Sequence, residues 1–348
     1  MPGDTIEAKW IDCFVRAFEL CKVRAGEVAA ILSETQSRPV LVKLAELALL
    51  RLKARPFHVV VPTPPVTAPV PVRSTGHSLA IGENPAVIRA LASSSFVVDT
   101  TVEGLLHSAE RGEILAGGTR VFMISNEHPE VLERLMPDPG LKAKVQRAVA
   151  MAKAARQMRV TSRAGTDLTV DMADAQVGGG WGISDEPGRI DYWPGGLCAF
   201  YPRAGAVNGV IVMDAGDLNL TFKRYLQDRV RLTFDNDYIV EIRGPGLDAE
   251  LMRSYFEAWD DKNAYAISHL GWGMNPRARW DSLIMFDRND VNGTEQRAFA
   301  GNFLFSTGSN RFANRFTEGH FDLPMRNCTI ALDGRVIVDS GKLIPELS

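Results

Sequence analysis

The stretch "SFVVDT", residues 95 to 100, is a short run of β-branched and aromatic residues between two longer segments with helical spacing. The same alternation covers the first 160 residues. Its apolar runs include "EVAAIL", "HVVV" and "TRVFMIS", and its amphipathic segments include 38–54, 84–94 and 103–115. Strands that alternate with helices form right-handed βαβ units, so this half predicts an α/β domain with a mainly parallel sheet.

The C-terminal half has a different texture. From about residue 159, strand-like runs such as "GLCAFYP" and "GVIVMDAG" follow one another with turns between them, and one clear helix stands out at 247–259. The last run is typical of a β-hairpin that turns at Asp333-Gly334. We therefore predict two domains, an α/β domain over 1–158 and a β-rich α+β domain over 159–348.

The composition is that of a globular protein, with 45% hydrophobic residues, 23% charged residues and a net charge of -3. It indicates neither a membrane span nor a nucleic-acid surface, and the N-terminus lacks a secretory pattern, which favours the cytoplasm. The four cysteines lack metal-binding spacing and are expected as buried thiols. The proline-rich stretch 61–78 and the glycine run "GGGWG" at 178–182 are expected as loops, and no nucleotide-binding motif accompanies the parallel sheet.

One candidate metal site lies near the C-terminus. In a strand, His320 and Asp322 point to the same face, as two ligands of one metal ion must. His269, where a predicted strand at 264–268 gives way to glycines, is a third candidate ligand. Two histidines and a carboxylate are typical of Fe(II) oxygenases, whereas the same ligands around zinc would indicate hydrolysis. The alternative is a surface histidine beside a turn-forming aspartate.

A fourth histidine is a candidate general base. His107 follows the predicted strand at 95–100 and lies near the start of a predicted helix. Ligands of open α/β sheets bind at this carboxyl end of the strands, and neutral imidazole is a suitable proton acceptor near neutral pH. A buried core histidine is the alternative interpretation.

Several motifs resemble those of the 2,5-dihydroxypyridine 5,6-dioxygenase family, namely "DEPGR" at 185–189, "SHLGWG" at 268–273, "RAFAGNFLFSTG" at 297–308 and "GHFDLPMRNC" at 319–328. The resemblance implies an aminopeptidase T-like fold and one Fe(II) per chain. It places the iron ligands at His269, His320 and Asp322, the base for the substrate hydroxyl at His107, and pocket residues at Arg297 and Ser306.

The chain departs from the family pattern at two positions. Tyr192 stands where relatives have a histidine, and Gly180 or a neighbour stands where they have a glutamate. We expect Tyr192 to donate a hydrogen bond to the substrate, and both 2,5-dihydroxypyridine and 3-hydroxy-4-pyridone are candidate rings. Extradiol-type cleavage would insert both atoms of O2 and give an N-formyl open-chain product. A homo-oligomer is expected, with no nucleic-acid or membrane partner.

The rival function is a metallo-aminopeptidase on the same fold. Such an enzyme would need a second metal ion and further ligands, for which Glu295, Glu318 and Tyr265 are available. A binding protein that has kept the fold without the chemistry is the non-enzymatic alternative.

Overall fold

The computed structural model describes residues 5–65, 79–82 and 84–348. Its helices are α1 (Ala8–Leu20), α2 (Pro39–Arg51), α3 (Pro85–Ala92), α4 (Arg111–Ala116), α5 (Pro129–Arg134), α6 (Pro139–Ala154), α7 (Leu247–Ala258) and α8 (Thr294–Ala298). Its strands are β1 (Val28–Glu34), β2 (Arg55–Val61), β3 (Phe96–Asp99), β4 (Arg120–Met123), β5 (Gln157–Thr161), β6 (Asp167–Asp171), β7 (Gln176–Gly180), β8 (Ile190–Tyr192), β9 (Leu197–Tyr201), β10 (Val207–Met213), β11 (Leu218–Asn219), β12 (Arg224–Tyr225), β13 (Val230–Asp235), β14 (Tyr238–Arg243), β15 (Ile267–Gly273), β16 (Phe303–Thr307), β17 (Phe321–Met325), β18 (Thr329–Leu332), β19 (Arg335–Asp339) and β20 (Lys342–Leu343).

The N-terminal half forms a parallel sheet with strand order β2-β1-β3-β4-β8. Its central strands β3 and β4 are fully buried and β1 is buried except at Val28, as expected for a sheet covered by the helices of βαβ units. The predicted parallel sheet is therefore confirmed. Strand β8 comes from beyond residue 158, yet it completes this sheet beside β4, with Tyr192 opposite Met123. The domain boundary at residue 158 stays a prediction.

The segment 103–115 is not one helix, as predicted, but a 3-10 turn at Leu105–His107 followed by α4. The reason lies at its start. Gly104 has a φ of 77°, and a Cβ atom there would lie 2.1 Å from the Met123 Cε atom. The buried carboxylate of Asp99 accepts a hydrogen bond from the Leu105 backbone N–H at 2.7 Å. This bond fixes the turn that carries His107 before a helix can begin.

The C-terminal half contains two larger antiparallel sheets, with strand orders β14-β13-β10-β6-β5-β18-β19-β20 and β17-β16-β15-β9-β7. The helix at Leu247–Ala258 and the hairpin through Asp333-Gly334 are confirmed. The predicted β-rich half is thus correct, and a small β11-β12 pair lies beside it.

Two local predictions in this half were wrong. The glycine run at 178–182 is not a loop throughout, since Gly178 to Gly180 belong to β7 and pair with β9, and only Trp181 and Gly182 lie beyond the strand. The strand predicted at 264–268 begins only at Ile267, after a 3-10 helix at Lys262–Tyr265, and as β15 it extends to Gly273, so His269 lies inside a strand and not at its end. The glycines there permit close strand contact, because a Cβ atom at Gly271 would lie 2.2 Å from the Cys198 carbonyl oxygen.

A continuous hydrophobic core joins the two halves. The Trp193 ring, just after β8, lies 5.2 Å from that of Phe14 and 6.1 Å from that of Phe122. All four cysteines are free thiols, and three of them are buried. Within the described ranges, no helix combines the length and apolar character needed to cross a membrane. Most of the predicted proline-rich loop, residues 66–78, lies outside the described residues.

Candidate metal centre and active site

Three predicted ligands meet on the sheet that contains β15, β16 and β17. His269 lies on β15, Asp322 on β17, and His320 directly before β17. One potential ligand atom from each lies within 4.8 Å of the other two, and all three residues are buried. His269 Nε2 is 3.7 Å from Asp322 Oδ1, and His320 Nε2 is 3.3 Å from Asp322 Oδ2. This arrangement of two imidazole nitrogens and a carboxylate fits a first-row metal ion.

The alternation of side chains along β17 explains how two of these ligands come together. Phe321, between them, points to the opposite side, where its ring packs 4.3 Å from that of Tyr255 and 4.8 Å from that of Phe256. The aromatic contacts anchor the strand, so His320 and Asp322 are directed to the same face.

Arg297 and Ser306 hold the Asp322 carboxylate from behind. Arg297 Nε donates to Asp322 Oδ2 at 2.7 Å, and Ser306 Oγ donates to Oδ1. Burial by itself raises the pKa of Asp322, but Arg297 and the two histidines outweigh burial and hold the pKa well below its usual value. The carboxylate is therefore kept ionised, as a metal ligand must be.

The structure places Ser306 differently from Arg297. Arg297 lines the cavity beside the ligands, whereas Ser306 is fully buried and its hydroxyl contacts Asp322 and, at 3.4 Å, His269 Nδ1. A direct contact between Ser306 and substrate stays a prediction from the resemblance. Its contacts indicate that Ser306 orients two candidate ligands, Asp322 and His269.

His107 faces the candidate ligands from the N-terminal half, at the carboxyl end of β3. Its ring stacks on that of His269 with centroids 5.8 Å apart, and the His320 ring centroid lies 6.4 Å away. Burial and the two neighbouring histidines hold the pKa of His107 well below its usual value. The imidazole is therefore neutral near pH 7 and can accept a proton.

Sequence reasoning missed Tyr201, the last residue of β9. Its Oη atom is 2.7 Å from His107 Nδ1, and its ring packs edge-on against His269 with centroids 5.5 Å apart. Burial raises the pKa of Tyr201, so the phenol stays protonated. The alternation in "LCAFY" carried a weak signal, because Phe200 packs in the core while Tyr201 must face the other way.

A cavity of about 630 Å³ brings these residues together. Its lining includes His107, Tyr201, Arg297, Tyr192 and the three candidate ligands. Such a volume suits a small organic molecule. Tyr192 enters the cavity from the end of β8 and lies against Gly180 of β7, so both positions at which we expect a departure from the family pattern form part of its wall.

The residues considered for a second metal ion lie elsewhere or have other partners. Glu295 accepts two hydrogen bonds from Arg134, each of 2.7 Å, and one from Ser282. The Tyr265 ring stacks on that of Phe256 at 4.6 Å. In the part of the chain that the structure describes, neither Glu295 nor Glu318 joins the His269, His320 and Asp322 group.

Comparison with known proteins identifies the family of this chain. The family model of 2,5-dihydroxypyridine 5,6-dioxygenase matches residues 9–345. A 2,5-dihydroxypyridine 5,6-dioxygenase from Pseudomonas putida KT2440 is 38% identical over 346 residues, which cover 98% of each chain. A solved structure of 2,5-dihydroxypyridine dioxygenase from that organism has a TM-score of 0.93 and 36% identity, covering 99% of this chain and 100% of the other.

The fold extends to a more distant protein. Wild-type AmpT from Thermus thermophilus has a TM-score of 0.63 at 13% identity, covering 97% of this chain and 99% of the other, which confirms the aminopeptidase T-like fold. Activity does not follow from that likeness, since the identity is low. The match of the family model over almost the whole chain, together with the close relative, shows that this protein belongs to the 2,5-dihydroxypyridine 5,6-dioxygenase family.

Proposed function

We propose that this chain is an Fe(II)-dependent dioxygenase that opens the ring of 2,5-dihydroxypyridine between the hydroxyl-bearing carbon and the neighbouring carbon bonded to nitrogen. The observation that carries the proposal is the buried group of His269, His320 and Asp322 beside a base in one cavity. One Fe(II) per chain, held by these three residues, would supply the open coordination positions for the substrate hydroxyl and dioxygen. Both oxygen atoms enter the N-formyl product, so no external reductant is consumed.

The chain's own residues prepare the substrate for this step. His107 Nε2 takes the proton of the substrate hydroxyl, which makes the ring electron-rich, while Tyr201 Oη holds His107 Nδ1 at 2.7 Å and fixes the imidazole plane. The low pKa of His107 supports this role because the base is unprotonated before substrate arrives.

Arg297 combines two tasks in this proposal. Its Nε atom holds Asp322, and Nη1 is fixed by the Asn292 carbonyl and amide oxygens at 3.2 Å. A guanidinium held in this way at the cavity wall stabilises negative charge on the deprotonated ring. Tyr192 offers a phenol hydroxyl to the same ring.

The second candidate ring is 3-hydroxy-4-pyridone, whose vicinal oxygens could both reach one metal ion. Its support is the cavity wall at Gly180 and Tyr192, which presents a neutral phenol in place of the family's glutamate and histidine. The metallo-aminopeptidase alternative has less support, because Glu295 is already paired with Arg134.

The test is anaerobic reconstitution with Fe(II), followed by iron analysis and oxygen-uptake assays with a panel of hydroxypyridines. We expect one iron per chain and one O2 consumed per ring opened, with 2,5-dihydroxypyridine as a substrate. Zinc-loaded protein is the control and should consume no oxygen. Two zinc or cobalt ions per chain together with peptidase activity would contradict the proposal. Light scattering in the same preparation tests the expected homo-oligomer.

A further inference from the structure

The cavity wall contains an unusually close contact between a glycine and a tyrosine. A Cβ atom built on Gly180 would lie 2.4 Å from Tyr192 Cζ and 2.5 Å from both Cε1 and Oη. These distances are far below van der Waals contact, so any side chain at position 180 must displace the Tyr192 ring. The backbone of Gly180 is not in the left-handed region, and the three atoms nearest to such a Cβ atom all belong to Tyr192, so the tyrosine ring is the neighbour that favours glycine here.

The frame around this contact leaves the backbone little room to yield. The buried Asp191 carboxylate accepts hydrogen bonds from the N–H groups of Trp181 at 3.2 Å, Gly182 at 3.1 Å and Tyr192 at 2.8 Å. Arg189 Nη2 reinforces the frame, donating to Asp191 at 2.6 Å and to the Gly179 carbonyl oxygen at 3.0 Å. The end of β7 and the end of β8 are thus tied together, so the tyrosine side chain is the part that can move.

The Tyr192 hydroxyl is also available to a ligand. It reaches the cavity, and among the described residues it has no hydrogen-bond partner, whereas the backbone N–H of Tyr192 is satisfied by Asp191. Burial raises the pKa of Tyr192, so the group is a neutral phenol that can both donate and accept. A neutral hydrogen-bonding group in the cavity wall distinguishes a heteroaromatic ring from a purely hydrocarbon ring of the same shape.

We propose that Gly180 and Tyr192 form one specificity-determining unit, in which Gly180 provides the space that holds the Tyr192 ring and the Tyr192 hydroxyl binds the nitrogen-containing edge of a neutral hydroxypyridine. The inference rests on the proposed function and deepens it, because it names the group that selects a pyridine over a benzene ring. Gly180 acts through the tyrosine and is a positioning residue. Tyr192 makes the contact.

The first experiment measures binding without turnover, by anaerobic calorimetry on iron-loaded protein with 2,5-dihydroxypyridine and with 1,4-dihydroxybenzene, which lacks the ring nitrogen. Tyr192→Phe should weaken the Kd for the pyridine about tenfold, the value of one neutral hydrogen bond, and leave the Kd for the benzene within about twofold. Equal losses for both ligands, or no loss for either, would overturn the assignment of the hydroxyl.

The second experiment tests the coupling. Gly180→Ala should weaken binding of both ligands about tenfold or more, because the displaced ring enters the cavity. In a Tyr192→Ala background, the same change at position 180 should have no further effect. Gly178→Ala is the matched control, since a Cβ atom there meets nothing within 4 Å on the same strand. If Gly180→Ala still weakens binding in the Tyr192→Ala background, the proposal that Gly180 acts through Tyr192 is refuted.

A crystal structure of Gly180→Ala supplies a result that does not depend on activity. We expect the Tyr192 ring to be rotated from its native position while β7 and β8 superpose on the native strands. A ring that stays in place, with the β7 backbone shifted, would overturn the proposal even if the protein binds no hydroxypyridine. Conversely, native protein that cleaves no hydroxypyridine contradicts the proposed function and leaves the crystallographic outcome to decide on the Gly180–Tyr192 contact.

Discussion

Replacing Ser306 by alanine separates two roles for this residue. In the structure its hydroxyl donates to Asp322 Oδ1 and lies 3.4 Å from His269 Nδ1, so the change removes a hydrogen bond to one candidate ligand and a contact with another. Loss of such a supporting group commonly weakens metal affinity by about 10- to 100-fold. We therefore expect Ser306→Ala to bind Fe(II) about 10- to 100-fold more weakly, equivalent to about 1.4 to 2.7 kcal/mol.

The metal-free protein should also lose stability. A hydrogen bond to a charged group contributes about 1.5 to 3 kcal/mol, and here the acceptor is a buried carboxylate that remains in place after the change. Arg297 still holds the other oxygen, which keeps the loss towards the lower end of that range.

Thr307→Val is the matched control for both measurements. Thr307 is the next residue of β16, is also fully buried, and its hydroxyl has no hydrogen-bond partner within the described part of the chain. Removing that hydroxyl should lower the free energy of unfolding by less than about 0.5 kcal/mol and leave the affinity for Fe(II) unchanged.

The assay is anaerobic competition between the protein and a coloured Fe(II) chelator, followed by urea denaturation of the metal-free protein and by steady-state oxygen uptake. Iron affinity of Ser306→Ala equal to that of Thr307→Val, combined with a raised KM for the ring substrate, would refute the reasoning. That result would show that Ser306 acts on the substrate, as the family resemblance implies.

Three further outcomes follow from the site. Fe(II) at about 100 times its Kd should stabilise the native protein by about 2.7 kcal/mol, whereas His320→Ala should show no iron-dependent shift in Tm. His107→Gln should bind one iron per chain and lose most turnover at neutral pH; native turnover in this variant would remove His107 from the mechanism. Burial raises the pKa of Asp99 from 3.8 to about 6, so the folded state binds this proton more tightly than the unfolded state does. The free energy of unfolding should therefore fall by up to about 3 kcal/mol as the pH rises from about 4 to about 6. Denaturation curves of Asp99→Asn should show a smaller dependence on pH.

The parallel sheet and the pairing of His320 with Asp322 could be predicted from the sequence because both depend on local periodicity. The run around Phe96 alternates with helical segments, and His320 and Asp322 share a face through the period of a strand. The position of His269 was harder to predict. Gly271 and Gly273 suggested the end of a strand, whereas in the structure both lie within β15. Gly271 lets β9 approach closely, and Gly273 leaves room for the Phe299 carbonyl oxygen after α8.

The remaining parts of the site depend on contacts between distant segments. Tyr201 meets His107 across 94 positions of the chain, a contact that follows from the packing of two sheets and not from any local pattern. The three-residue strand β8 is too short to produce a periodic signal, and its pairing with β4 is set by tertiary structure. Ser306 was identified through its motif, but its hydrogen bond to Asp322 depends on the register of β16 against β17.

The insertion of β8 into the N-terminal sheet has a consequence for attempts to divide the protein. A fragment of residues 1–158 would expose the unpaired backbone N–H and C=O groups of β4, an apolar strand whose residues are buried in the full chain. Open edges of this kind pair readily with other chains. We expect such a fragment to aggregate when expressed alone and to be rescued by co-expression of the complementary fragment, so that the catalytic centre assembles only after both ends of the polypeptide have been synthesised.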